Sequence, residues 1–261
     1  MNHFKNKKRY YLILILIIFF LAIYSNNNCA NDKNLGDTNT PRVVLVELFV
    51  QASCTTCPHA EFCLEELAWE YVPEKMILLE QHIWGDGYDI PETNARYDWY
   101  SGDGAKGTPD VFINGLTIRI QGLACECGDI DENYLYYKKT IDAELARPSF
   151  LELSAAKKIM DDYSIVIEGR VMNVSNTSLE NLVVCGMVYR DCNELGLCYW
   201  VQDIFPSQDI PKLLPGDTYI YNITSQPFPP KENEEAPIQV VVFVQDIKSP
   251  TKEVLQALYV Q

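Results

Sequence analysis

Val43-Val44-Leu45-Val46-Glu47-Leu48-Phe49-Val50 is a nearly continuous apolar run that stops just short of Cys54-Thr55-Thr56-Cys57, with Pro58 immediately after. A run this apolar predicts a strand buried on both faces of a mixed sheet. Pro58 suits the first turn of a helix, because its φ is already helical and its missing N–H would have no partner there. From Ala60 to Tyr71 the apolar Phe62, Leu64, Leu67, Ala68 and Tyr71 recur at helical spacing, while Glu61, Glu65, Glu66 and Glu70 populate the other face. The order is therefore strand, cysteine turn, helix.

Downstream, Met76 to Ile83 predicts a second strand, and a short helix is expected around Glu92 to Tyr100. Thr108 to Gly122 holds two short strands around Asn114-Gly115, and Asn-Gly between apolar runs is a strong hairpin signal. A helix at about Ile130 to Ala146 is stopped by Pro148. Residues 42–147 thus form an α/β unit. From Phe150 the pattern changes to seven β segments, at 150–155, 163–174, 179–190, 197–205, 217–224, 238–246 and 254–260. Their spacing predicts an all-β, Ig-like sandwich over residues 148–261.

The N-terminus sets the compartment. Lys5, Lys7, Lys8 and Arg9 precede an apolar run from Leu12 to Tyr24, followed by Ser25 and three asparagines. That order is a signal sequence or signal anchor over residues 1–25, and 26–41 is a polar tether. The run of 13 residues is short against the ~17–25 of a spanning helix, so cleavage is expected, with membrane attachment if the leader stays. Cys29 raises lipidation, but Asn26-Asn27-Asn28 lacks the small and aliphatic residues of a lipobox. The basic leader leaves 17 of the 21 Lys and Arg facing all 36 Asp and Glu, a net charge of −19 for the rest of the chain. So acidic a body, with no basic stripe, argues against a nucleic-acid partner.

Outside the cytoplasm, nine cysteines read first as disulfides. For Cys54 and Cys57 three readings stand: redox exchange, an inert structural disulfide, or metal binding. Their setting favours the first.

Strand, C-x-x-C, helix and a later Thr108-Pro109 before a hairpin ending at Gly122 resemble the thioredoxin superfamily. The resemblance implies Cys54 as nucleophile at the helix N-terminus, where the dipole favours thiolate, and Cys57 as the resolving thiol. It implies a cis Pro109 facing the pair and a Thr108 backbone that receives a substrate chain. Glu47 stands seven residues before Cys54, against six for the buried acid common in thioredoxins. Buried there it would have a raised pKa and exchange a proton with Cys57; otherwise it is a Glu on an exposed strand edge. Ser53 and Thr55-Thr56 depart from the superfamily's usual residues, which leaves the redox direction open. Val46-Glu47-Leu48-Phe49, His82, Gly107-Thr108-Pro109, Gln245-Asp246 and Thr251 to Ala257 further resemble the outer membrane protein twenty-eight group of thioredoxin-like bacterial envelope proteins, over residues 42–261. The implied protein is an extracytoplasmic thiol-disulfide oxidoreductase whose partners are protein thiols and disulfides of the cell envelope. The alternatives are a non-enzymatic binding or structural protein with a locked disulfide, and a metallochaperone.

Cys125 and Cys127 follow the hairpin closely enough to form a relay pair beside Cys54 and Cys57, or to bridge to Cys63 on the helix. Cys192 and Cys198 are expected to clip a hairpin, and Cys185 reads as a core thiol. His59 and His82 are candidate acids, bases or copper ligands beside a dithiol, each more often structural when alone. No resident metal or cofactor is expected.

Overall fold

The computed structural model describes residues 40–124, 129–191, 198–227 and 237–261. The leader, most of the tether, Cys29, Cys125, Cys127 and Cys192 lie outside the described residues.

Twelve strands and three α-helices are arranged as a mixed α/β fold among the described residues. The strands are β1 (Val44–Val50), β2 (Met76–His82), β3 (Asp110–Ile113), β4 (Ile118–Gln121), β5 (Leu151–Ile159), β6 (Ile165–Asn173), β7 (Leu182–Arg190), β8 (Trp200–Ile204), β9 (Gln208–Ile210), β10 (Thr218–Thr224), β11 (Ile238–Asp246) and β12 (Val254–Val260). The helices are α1 (Cys57–Tyr71), α2 (Pro91–Ser101) and α3 (Ile130–Leu145). A nine-stranded sheet runs β12-β11-β7-β8-β2-β1-β3-β4, with β9 beside β7, and a second sheet runs β10-β6-β5. Strands from both sides of residue 147 belong to the large sheet, because β2 meets β8 at Glu80 and Trp200. No helix among the described residues is long and apolar enough to cross a membrane.

Period-two alternation sorts the apolar side chains into layers. Val44, Val46, Leu48 and Val50 face one way and pack with Met76, Leu78, Val111 and Ile113 under α1 and α3. Leu45, Ile77 and Leu79 turn the other way, onto Val183, Met187, Val241 and Phe243. On that side Phe49 and Phe112 also meet Tyr97 and Tyr100 of α2. The far face of β7 and β11, with Val184, Val188, Val242 and Val244, closes on Ile165, Ile167, Tyr221 and Ile223 of the smaller sheet. Every residue of β1 is buried. At about 1.5–3 kcal/mol per buried aliphatic or aromatic side chain, this strand is a main anchor of the fold.

Polar stitches tie the segment that enters β1 to α3 and β12. Buried Arg42 donates from Nη1 to Glu144 at 3.2 Å and from Nη2 to Glu253 at 2.8 Å. Arg147 bridges the same two carboxylates at 2.7 and 2.6 Å. Asn114 Oδ1 accepts from Leu45 N–H at 3.0 Å and its Nδ2 donates to Glu144 at 2.9 Å. The hairpin turn uses Asn114 and Gly115 with positive φ, as a tight turn requires. Gly115 is also needed for space: a Cβ there would lie 2.1 Å from the Lys252 carbonyl oxygen. Gln256 accepts from Val43 N–H and donates to the Pro41 carbonyl, both at 2.9 Å.

Candidate functional site

α1 opens on Cys57 with Pro58 in its first turn. Cys54 and Cys57 are joined in a disulfide, their Cα atoms 5.5 Å apart. The Cys57 N–H points at Cys54 Sγ at 3.0 Å, and Thr56 Oγ1 stands 3.7 Å from the same sulfur. Cys57 is buried and Cys54 is half-buried, so Cys54 is the sulfur more open to a partner. A thiolate on Cys54 would lie against N–H groups of a helix start, where negative charge is favoured, and no acidic residue sits in that first turn.

The pairing of β1 with β3 sets Asp110 opposite Phe49, so Thr108 and Pro109 reach the sheet at the end where the cysteine turn leaves it. The Thr108–Pro109 peptide is cis. Behind it, buried Asp110 receives Arg119 Nη2 at 2.6 Å and the Tyr97 hydroxyl at 2.9 Å. The same hydroxyl accepts from Gly107 N–H at 2.9 Å, which pins the approach to Pro109.

Glu47 is not beside the dithiol. It is fully buried, but on the face of β1 that Leu45 and Phe49 share, away from α1. Its carboxylate accepts from Gln81 Nε2 and the Tyr100 hydroxyl, each at 2.6 Å, and from Arg96 through Nε and Nη2. Arg96 and Tyr100 also meet Gln245, so Glu47 anchors α2 and β11 to β1. The position six residues before Cys54 is Leu48, and it faces the helix.

A different carboxylate occupies that side. Glu80 of β2 stands across from Leu48 in the parallel register, on the face of Met76 and Leu78. It is buried, and its Oε1 has no hydrogen-bond partner. Burial, the charges of Glu61 and Glu65, and a hydrogen bond to Glu65 push its pKa well above the usual range. Glu61 lies one turn beyond Cys57 on α1, and burial with Glu65 nearby raises its pKa to about 7. Burial raises Glu65 as well. The stripe Cys57, Glu61, Glu65 with Glu80 beneath it was not expected from the sequence, where these glutamates simply populate the helix face opposite the apolar residues. The available signal was Glu80, an acid inside an apolar strand.

Asp86 ties the cysteine turn to the loop after β2. Its Oδ2 accepts from Ala52 N–H at 2.9 Å and meets His82 Nδ1 at 2.7 Å. His82 Nε2 and His59 Nδ1 are buried without hydrogen-bond partners. Among the described residues no group of three or more His, Cys, Asp and Glu is arranged to hold a metal.

Cys63 is a buried free thiol, which corrects the expected bridge to Cys125 or Cys127. Its Sγ faces the Ile130 carbonyl at 3.5 Å, and burial raises its pKa to about 11. A relay through Cys125 and Cys127 falls outside the described residues. Cys198 is disulfide-bonded, while Cys192, its expected partner, is likewise outside them. Cys185 is a free, buried thiol in the core that β7 and β11 share with β1 and β2.

No protein-family model and no curated protein sequence matches this chain. Among solved structures it is similar to HBP35 of Porphyromonas gingivalis, at 13% identity over 85% of this chain and 75% of that one, with a TM-score of 0.64. A domain of the outer membrane lipoprotein Omp28 from Porphyromonas gingivalis overlaps 43% of this chain and 88% of its own at 14% identity, with a TM-score of 0.31. Bacteroides uniformis beta-glucuronidase 2 overlaps 42% of this chain and 12% of its own at 19% identity, with a TM-score of 0.29. Of these three, the similarity to HBP35 spans most of this chain, and at that identity it is a similarity of fold.

Proposed function

We propose that this chain is an extracytoplasmic thiol-disulfide oxidoreductase of thioredoxin-like design, exchanging Cys54 and Cys57 with disulfides of envelope proteins. In this reading residues 42–147 carry the chemistry and residues 148–261 form an Ig-like module that docks or spaces it. The observation that carries the proposal is the Cys54–Cys57 disulfide at the start of α1, with one sulfur half-exposed and the other buried. The apolar leader and the nine cysteines support the compartment.

The exchange is balanced by thiols alone. Cys54 thiolate attacks one sulfur of a substrate disulfide and expels the other as a thiolate. Cys57 then gives its proton to a base and attacks Cys54 Sγ, which releases the second substrate sulfur and closes the protein disulfide. The substrate gains the two electrons that the dithiol loses, and a dithiol reductant of the compartment restores the pair. Glu61, backed by Glu80, is the base we assign to Cys57, in place of Glu47.

Insulin reduction driven by dithiothreitol tests this. Wild type should accelerate precipitation and Cys54→Ser should not. Cys57→Ser should accumulate a mixed disulfide at Cys54 with a disulfide-bonded peptide. Equal, negligible rates for wild type and Cys54→Ser would leave a locked structural disulfide instead.

A further inference from the structure

The opposite end of α1 borders an aromatic groove that the dithiol chemistry does not use. Its cavity of about 490 Å³ lies between the last turn of α1 and the ends of β7, β11 and β12. Trp69, 71% exposed, forms one wall, and Tyr189, Tyr199 and Tyr259 form the other. Asp191 and Gln239 supply the polar groups, and none of the described lining residues is basic.

Three features give the groove one electrostatic sign. The Asp191 carboxylate lies close enough to raise the pKa of Tyr189, Tyr199 and Tyr259, adding to their burial. The C-terminal end of α1 carries the negative pole of the helix dipole, and no Lys, Arg or His in its last turn offsets it. Aromatic ring faces add their own negative potential. Asp191 is also held in position: Tyr259 O–H donates to Gln239 Oε1, and Gln239 Nε2 donates to Asp191 Oδ2 at 2.7 Å. Asp191 Oδ1 has no side-chain partner among the described residues.

We propose that this groove binds the side chain of an arginine displayed on a polypeptide partner. A guanidinium is planar, so it can stack on Trp69 or a tyrosine while its N–H groups donate to Asp191, which a small hydrated ammonium does less well. The groove is partly open to solvent, which admits a side chain presented by a partner. The net charge of −19 beyond the leader draws basic partners towards the surface.

Calorimetric titration with the capped peptide Ac-Ala-Arg-Ala-NH2 tests the assignment, with its citrulline analogue and putrescine as comparators. The arginine peptide should bind with saturation and at least tenfold more tightly than the citrulline peptide, which keeps the shape and loses the charge. Asp191→Asn and Trp69→Ala should each weaken it at least tenfold. Trp69 is largely exposed, so that variant keeps the fold even if Asp191→Asn does not. Equal binding of arginine and citrulline peptides, putrescine binding as tightly as the arginine peptide, or an unchanged affinity in Trp69→Ala would overturn the proposal.

Discussion

Leu48 and Glu80 stand opposite each other in the parallel pairing of β1 with β2, and both face α1. The helix that begins with Cys57 therefore rests on an apolar residue of its own preceding strand and on a carboxyl from the neighbouring one. Buried, unpartnered at Oε1 and close to Glu61 and Glu65, the Glu80 carboxyl is held well above the usual carboxylate range, chiefly by burial.

Glu61 has a pKa of about 7 in the folded protein against 4.5 ordinarily, so its effect on stability has a definite sign. Below about pH 4.5 both folded and unfolded forms are protonated and it contributes nothing. Between 4.5 and 7 the unfolded chain ionises first, so folding loses stability as pH rises. Glu61→Gln should remove this loss, making the variant more stable than wild type at pH 8 by on the order of 1–2 kcal/mol after allowing for partial exposure. Urea denaturation at pH 4 and pH 8 measures it. In stopped-flow resolution of the mixed disulfide, the same variant should lose the inflection near pH 7 and slow by about tenfold or more.

Glu47→Gln should separate stability from chemistry. Removing the carboxylate leaves Arg96 without its buried counter-charge, a change worth about 3–5 kcal/mol. Alkylation of reduced Cys54 by iodoacetamide should keep its wild-type rate and pH dependence. A shift in that pH dependence would return Glu47 to the dithiol.

Arg42→Ala should destabilise the protein by about 3–5 kcal/mol, because Glu144 and Glu253 lose a shared buried donor. Thermal denaturation should show one transition displaced to lower temperature. Arg42→Lys should recover only part, since one ammonium cannot reproduce the guanidinium fork.

Gly115→Ala should fail on two grounds, a φ of +74° and a Cβ placed 2.1 Å from the Lys252 carbonyl oxygen. A loss of at least about 2 kcal/mol in urea denaturation is expected. Gly216→Ala is the control, because its φ of +84° is similar and its Cβ would meet nothing within 4 Å. The control should lose clearly less.

Much of this architecture was legible in the sequence. The seven β segments expected after residue 150 appear as β5, β6, β7, β8, β10, β11 and β12, because alternation and turn residues bound them. The helix after Cys57 and the hairpin at Asn114-Gly115 rest on equally local signals. The phase of β1 was not legible. Alternation sets Glu47 and Leu48 on opposite faces, but a strand buried on both faces has no solvated side to tell which of them lies under α1. Pairing between β2 and β8 depends on residues 120 positions apart, Glu80 and Trp200, and no local pattern announces it. The acid cluster was hidden for a related reason: Glu61 and Glu65 look like solvent-facing residues until Glu80 is set beneath them.

The clasp on Arg42 also bears on how the chain is born. Glu253 closes on a residue 211 positions earlier, and Gln256 on Val43 and Pro41. A chain synthesised from its N-terminus therefore holds β1 unlatched until residues 253–256 have been made. Contacts of such long range slow folding.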